Sequence, residues 1–186
     1  MSDSASVAAC TILVIMGVSG SGKSTIGGAL AAQLGWRYTE GDDFHPPANV
    51  AKMRAGKPLD DADRQPWLAA IARWMDAQVQ SRRPGVIGCS ALKRAYRDLL
   101  RADRQQVWFL YLRVSRETLQ QRVTTRHHAY MPASLLDSQL ATLEEPGRDE
   151  PRCITLDADA GVAAIVEAAL HALAAHGILP RSKEPR

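Results

Sequence analysis

Residues able to hold a nucleotide's phosphates stand near the start of the 186-residue chain, in Gly17-Val18-Ser19-Gly20-Ser21-Gly22-Lys23-Ser24-Thr25. Glycine, four residues, then Gly-Lys-Ser is the spacing of a P-loop, whose glycines let the backbone curl until successive N–H groups face an anion. In such a loop Lys23 reaches the β and γ phosphates of ATP and the Ser24 hydroxyl is a ligand for Mg²⁺. A second reactive cluster, Glu40-Gly41-Asp42-Asp43-Phe44-His45-Pro46-Pro47, sets three carboxylates and an imidazole within six residues. Taken alone, that cluster reads more readily as an acidic turn with a capping carboxylate. The third set is cationic. Lys93, Arg97 and Arg101 recur at four-residue steps, and Arg122 and Arg126 lie one helical turn apart. Lys93 and Arg97 read equally as part of a solvated stripe or as candidates for binding an anion, with Arg101 left to solvent. Arg122 and Arg126, followed by an irregular segment, read as a lid able to close over phosphates. His127 and His128 are adjacent, so their side chains diverge, and no second ligand pair stands at a useful spacing; a metal site is not expected there.

The elements that must position these residues follow from hydrophobic periodicity. An apolar run from Thr11 to Met16 predicts a strand leading into the P-loop. Ile26, Ala29, Leu30 and Leu34 then share one face of a helix that should end at Gly35. That helix points its positive end at the loop and adds to the anion site. Trp36 to Thr39 predicts a short strand delivering the acidic cluster, and the Pro46-Pro47 pair suits the first turn of a helix running to about Gly56. A long helix is expected from about Pro66 to Arg82, with Trp67, Ile71, Trp74, Met75 and Val79 as a core-packing stripe. Val86 to Cys89 is the next strand, and Ser90 should cap a helix through about Ala102. Val107 to Leu112 follows as a strand, with Ser115 capping the helix of Arg122. Leu135, Leu136, Leu140 and Leu143 mark a further helix, Ile154 to Leu156 a last strand, and Val162 to Leu173 a final amphipathic helix. Strands alternating with helices predict an α/β fold with a mainly parallel sheet covered on both faces. Ligands bind beyond the carboxyl ends of such strands, which places the acidic cluster beside the P-loop.

Composition narrows the class. With 46% hydrophobic residues the chain can bury one sizeable core, so a single domain over 1–186 is expected, with 1–6 and 181–186 as mobile tails. The net charge is only +3, with Arg181, Lys183 and Arg186 against Glu184 supplying two units of it, so no basic face for nucleic acid is implied. Cys10, Cys89 and Cys153 are odd in number and widely spaced, which suggests reduced thiols in the cytoplasm. The apolar run from Val7 to Met16 is too short to span a membrane, and no basic segment precedes it. Asn49 is the only asparagine, which rules out the Asn-Lys-x-Asp guanine signature, and no Asp-x-x-Gly switch is present. The strand at Val86 also ends without the Asp that motor and transporter ATPases use, so Mg²⁺ would rest on Ser24, phosphates and water. What remains is a small-molecule kinase with helical insertions after its second and third strands.

The chain resembles the gluconate kinases of the P-loop kinase superfamily. The resemblance is carried by Gly17 to Thr25, Gly41-Asp42-Asp43-Phe44-His45-Pro46, Lys52-Met53, Pro58 to Leu68 with Asp60-Asp61-Ala62-Asp63-Arg64, Cys89-Ser90-Ala91-Leu92-Lys93 onward to Leu100, and Leu135 to Pro146 with Ser138-Gln139. It implies the P-loop kinase fold and transfer of the γ-phosphoryl group of ATP to the 6-hydroxyl of D-gluconate with Mg²⁺, in a cytoplasmic, dimeric enzyme. Under that reading Asp42, with Asp43 as rival, takes the acceptor's proton. Lys93 and Arg97 hold the gluconate carboxylate. His45 donates to sugar hydroxyls or anchors its loop, and Arg122 and Arg126 close on the phosphates. In one respect the chain departs from the family. The lid commonly reads Gly-His-Phe, where His128-Ala129-Tyr130 stands here, so the lid histidine's role does not carry over to Ala129. A shikimate or nucleoside monophosphate kinase is the alternative within the class, and a non-catalytic nucleotide-binding module the alternative outside it.

Overall fold

A computed structural model describes residues 10–125 and 133–179. Its central strand, β1 (Ile12–Met16), is wholly buried and alternates between two cores. On one face Ile12, Val14 and Met16 meet Trp67, Leu68, Ile71 and Met75 of α3 (Asp61–Gln80) and Tyr96 and Leu100 of α4 (Arg94–Arg101). On the other, Leu13 and Ile15 meet Ile26 and Leu30 of α1 (Lys23–Leu34) and Ile165, Val166, Ala169 and Leu173 of α7 (Val162–Ala175). The remaining strands are β2 (Arg37–Glu40), β3 (Gly85–Gly88), β4 (Val107–Arg113) and β5 (Cys153–Asp157). Helices α2 (Pro47–Arg54), α5 (Arg116–Thr125) and α6 (Ala133–Thr142) complete the set among the described residues. All pairings are parallel, in the order β2-β3-β1-β4-β5. The expected doubly covered parallel sheet is therefore present, and its carboxyl edge gathers the segments that follow each strand.

Most boundaries fall within a residue or two of expectation, and Gly35 ends α1 in the left-handed conformation, φ 66°. Two starts differ. α3 begins at Asp61 because Asp60 accepts from the Asp63 amide at 2.8 Å while the Asp63 carboxylate accepts from the Asp60 amide at 2.9 Å, a reciprocal cap. Pro66 thus lies inside the helix, where its missing N–H deprives only the exposed Ala62 carbonyl. The helix after β3 begins at Arg94 rather than at a Ser90 cap. Residues 89–93 instead run irregularly, with Ala91 at φ 44°, because other groups claim their backbone. The Ser90 carbonyl accepts from the Gly17 amide at 3.3 Å, and the Leu92 carbonyl from the Glu144 amide at 2.8 Å.

The basic stripe of α4 is the largest departure. Arg97 is 1% exposed and makes a two-pronged pair with Glu150, Nε to Oε1 at 2.6 Å and Nη2 to Oε2 at 2.8 Å, while its Nη1 donates to the Ala91 and Leu92 carbonyls. Arg101, expected in solvent, is also buried and donates to the same Glu150 at 3.1 Å. Burial disfavours the Glu150 charge, but Arg97 first and then Arg101 outweigh it and hold the carboxyl below its usual pKa. Periodicity could not separate this face from a solvated one, since the partner lies 53 residues away. Arg97→Ala should cost on the order of 3 kcal/mol by leaving buried charge poorly paired, read from urea or thermal unfolding. A depressed glutamate pKa also means that this contribution is complete above the ordinary glutamate range and is lost as pH falls toward the folded value. Denaturation midpoints that do not move would overturn both statements.

Candidate active site

The P-loop connects β1 to α1 as expected. Gly17 stands at φ 144°, and a Cβ there would lie 2.8 Å from the Ser21 hydroxyl and 3.1 Å from the Leu112 carbonyl, so the tight turn requires glycine. Gly20 and Gly22 also take positive φ, the latter as the cap of α1. Lys23 Nζ donates to the Val18 carbonyl at 3.0 Å across the loop's mouth. Ser24 Oγ donates to Glu40 Oε2 at 2.7 Å, which sets a hydroxyl and a carboxylate at the head of α1. These are hard oxygen groups of the kind Mg²⁺ accepts beside phosphate and water. No cluster of three or more His, Cys, Asp or Glu suited to a metal occurs among the described residues. The Ser21 hydroxyl is buried with no hydrogen-bond partner, an orphaned polar atom inside a loop built for anions.

On the α7 side of the loop, Gly20, Ser21, Gly22 and Thr25 border a cavity of about 210 Å³ closed by Arg122, Val162 and Ile165. Arg122 spans it, donating to the Ser21 carbonyl at 3.3 Å and the Ala158 carbonyl at 2.8 Å. Arg126, His127 and His128 lie outside the described residues.

A larger cavity, about 280 Å³, opens on the other side of the loop. Ser19 and Lys23 form one wall, Asp42 and His45 the next, Arg54, Lys57 and Arg64 a basic rim, and Ser138 and Gln139 the far side. Its floor is fixed by Trp67, whose indole N–H donates to the Gly41 carbonyl at 2.8 Å and whose ring stacks on His45 at 4.4 Å. The aromatic stripe of α3 is thus more than core packing, because Trp67 holds the turn (Gly41–Phe44) that presents Asp42. Gly41 fits because a Cβ would collide with the Gly88 carbonyl.

Asp42 and Asp43 separate here. Both are exposed, but Asp42 lines the cavity while Asp43 lies outside its lining. The Asp42 carboxyl is reachable by water, yet the surrounding walls desolvate it and raise its pKa; Lys23 opposes this and Asp43 adds to it. His45 is pushed down to about 4, by burial first and then by Arg64, so its ring is neutral at pH 7. Its Nε2 lies 3.9 Å from Asp42 Oδ1, too far for a hydrogen bond, and a neutral ring makes no ion pair. Asn49 Nδ2, which donates to the Asp63 carbonyl at 2.7 Å, also approaches His45 Nδ1 at 3.4 Å. With Asn49 as the donor, Nδ1 is the acceptor and the ring proton sits on Nε2, on the side of Asp42.

Lys93 and Arg97 are not brought to this cavity. Lys93 Nζ is held by both oxygens of Asp61 at 2.8 and 2.9 Å, and Arg97 is buried against Glu150. Besides Lys23, the cations that line it are Arg54, Lys57 and Arg64, which sit on or after α2 and at the start of α3. Sequence reasoning passed over them although Arg64 belongs to the Asp-Asp-Ala-Asp-Arg block, because charges beside a capped helix start read as solvated. Two further residues were missed. Glu40 was seen only as part of the acidic cluster, and Gln139 Oε1 accepts from the Ser19 amide at 2.7 Å, which ties α6 to the P-loop.

A parallel sheet of this order, with a P-loop after its central strand and a basic cavity holding one carboxylate beside that loop, defines a P-loop small-molecule kinase. The family model for shikimate kinase matches residues 19–174. Among curated proteins, the gluconokinase of Gluconobacter oxydans is 54% identical over 139 residues, covering 75% of this chain and 78% of the relative. The thermoresistant gluconokinase of Escherichia coli is 38% identical over 162 residues, covering 87% and 93%. A crystal structure of a gluconokinase from Sinorhizobium meliloti superposes with a TM-score of 0.81 at 46% identity, covering 90% of this chain and 94% of that one. The chain belongs to the gluconokinase family of P-loop kinases.

Proposed function

We propose that the protein transfers the γ-phosphoryl group of ATP to the 6-hydroxyl of D-gluconate, releasing 6-phosphogluconate and ADP. The observation that carries the reading is that Lys23 of the P-loop and the cavity-facing Asp42 open onto one space rimmed by Arg54, Lys57 and Arg64. A polyhydroxy acid with one carboxylate suits such a space. Lys23 and the loop amides hold the β and γ phosphates, and Arg122, with Arg126 as expected from the sequence, supports them from the lid side. Ser24 would be the protein ligand for Mg²⁺, which would supply neutralisation of the phosphate charge. Asp42 orients the acceptor hydroxyl and takes its proton, its raised pKa making it a better base than a free carboxylate. His45 donates from Nε2 to the sugar hydroxyls. The rim cations take the carboxylate role expected of Lys93 and Arg97. Family membership supports a small-molecule acceptor, and the proposal extends to a cytoplasmic homodimer of single-domain kinases. No described helix is long and apolar enough to cross a membrane.

The test is ADP release on addition of gluconate, shikimate or a nucleoside monophosphate. Gluconate should drive it with the highest kcat/KM; a faster acceptor, or none above background hydrolysis, overturns the reading. Within it, Arg64→Ala should raise the KM for gluconate about tenfold or more, the worth of a charge-assisted hydrogen bond, and leave the KM for ATP unchanged. Arg64 is held in place by Tyr96, whose hydroxyl it approaches at 3.4 Å. Equal change in both constants would remove Arg64 from the acceptor side.

A further inference from the structure

One phenol is given room by two glycines on separate elements. A Cβ at Gly27, in the middle of α1, would come within 2.5 Å of the Tyr38 ring, and a Cβ at Gly88, at the end of β3, would strike the Tyr38 hydroxyl and lie 3.0 Å from Glu40 Oε1. Glycine is unfavourable inside a helix or strand, so both positions give up stability to admit this side chain. Size alone does not account for tyrosine there, since phenylalanine would fill the same volume. The hydroxyl has a definite partner: it donates to Glu40 Oε2 at 2.9 Å, the same oxygen that accepts from Ser24 Oγ at 2.7 Å. Tyr38 and Glu40 stand two residues apart on β2 and so share a face of the sheet, with Glu40 in register with Gly88.

The geometry points to Tyr38 as a positioning residue for the metal end of the nucleotide site, its hydroxyl fixing the Glu40 carboxylate and Glu40 fixing the Ser24 hydroxyl. A serine hydroxyl that donates its proton to a carboxylate keeps its lone pairs free to accept a divalent cation. Two donors on one oxygen leave Glu40 little freedom to swing and coordinate the cation in place of Ser24. Outer partners of this kind commonly change metal affinity by ten- to a hundredfold when removed. The inference rests on the reading that Ser24 holds the ion accompanying the nucleotide, and it does not depend on the acceptor.

The experiment is calorimetric titration of ADP into the parent and Tyr38→Phe, each with excess Mg²⁺ and with a chelator. Tyr38→Phe keeps the ring in its cradle and loses only the hydroxyl. Its affinity for Mg·ADP should fall about tenfold while its affinity for metal-free ADP stays at the parent value. Glu40→Gln, measured in parallel, should show the same selective loss, and a thermal melt of each variant checks folding. An unchanged Mg·ADP affinity in Tyr38→Phe overturns the proposal, and so does an equal loss with and without the metal, which is the mark of a merely structural role. A parent whose ADP affinity ignores Mg²⁺ overturns the metal reading and the proposal together. Failure of gluconate as acceptor leaves these titrations unaffected.

Discussion

Lys23→Ala should lower turnover by two orders of magnitude or more while the protein remains folded. The ammonium lies at the mouth of the P-loop and its neighbours include both the phosphate-facing loop and the cavity of Asp42, so it is placed to follow charge onto the transferring phosphoryl group. Contacts that strengthen in the transition state are worth on the order of 3 kcal/mol, about a hundredfold in rate. Stability should be spared, because Lys23 is the first residue of α1, outside both core clusters, and alanine is the strongest helix former. A second consequence follows from the electrostatics. Lys23 is the group that opposes the upward shift of the Asp42 pKa, so removing it should move the acidic limb of the residual kcat/KM profile to higher pH. Steady-state kinetics across pH 4 to 8 (about that range suffices to bracket a raised carboxyl) measure both effects. Near-parental kcat would remove Lys23 from the chemistry.

The parts of the molecule legible in the sequence are those whose cause is local. The P-loop and the Gly35 cap depend on neighbours within a few residues and were readable from spacing, and β1 was readable as an apolar run. Asp42 was also legible, though only as one of two adjacent carboxylates. What parted it from Asp43 is the bond from Trp67 to the Gly41 carbonyl, a contact across 26 residues that no local pattern announces. The basic stripe of α4 misled for the same reason. Four-residue spacing places Lys93, Arg97 and Arg101 on one side of a helix but does not say whether that side meets water, a substrate or Glu150. Here Asp61 takes the first and Glu150 the other two, so two candidates for anion binding and one charge expected in solvent are all tied to carboxylates instead. Conversely, the cavity rim of Arg54, Lys57 and Arg64 is assembled only when α2 and α3 fold toward the P-loop.

Asp42→Asn should lower kcat by roughly a hundredfold or more with both substrates still bound, in the range of general-base contributions. The asparagine is nearly isosteric, so the Trp67 bond to Gly41 and the stacking of His45 on Trp67 should persist and the turn should keep its shape. What is lost is an acceptor for the proton of the attacking hydroxyl. Asp43→Asn should do far less, because Asp43 lies outside the cavity lining; its main effect is electrostatic, through the repulsion that helps raise the Asp42 pKa. The sign is definite. Without Asp43 the Asp42 pKa falls, so the acidic limb of the kcat/KM profile in Asp43→Asn should move to lower pH, opposite to the shift expected for Lys23→Ala. In Asp42→Asn that limb should vanish rather than move. His45, pushed down to about 4, titrates only at the acid end of the profile and its ring is neutral above it. The decisive comparison is kcat and the pH profile for the two variants side by side, with gluconate affinity measured by calorimetry. An inactive Asp43→Asn beside a normal Asp42→Asn would reverse the roles, and two normal enzymes would reduce the acidic cluster to a turn.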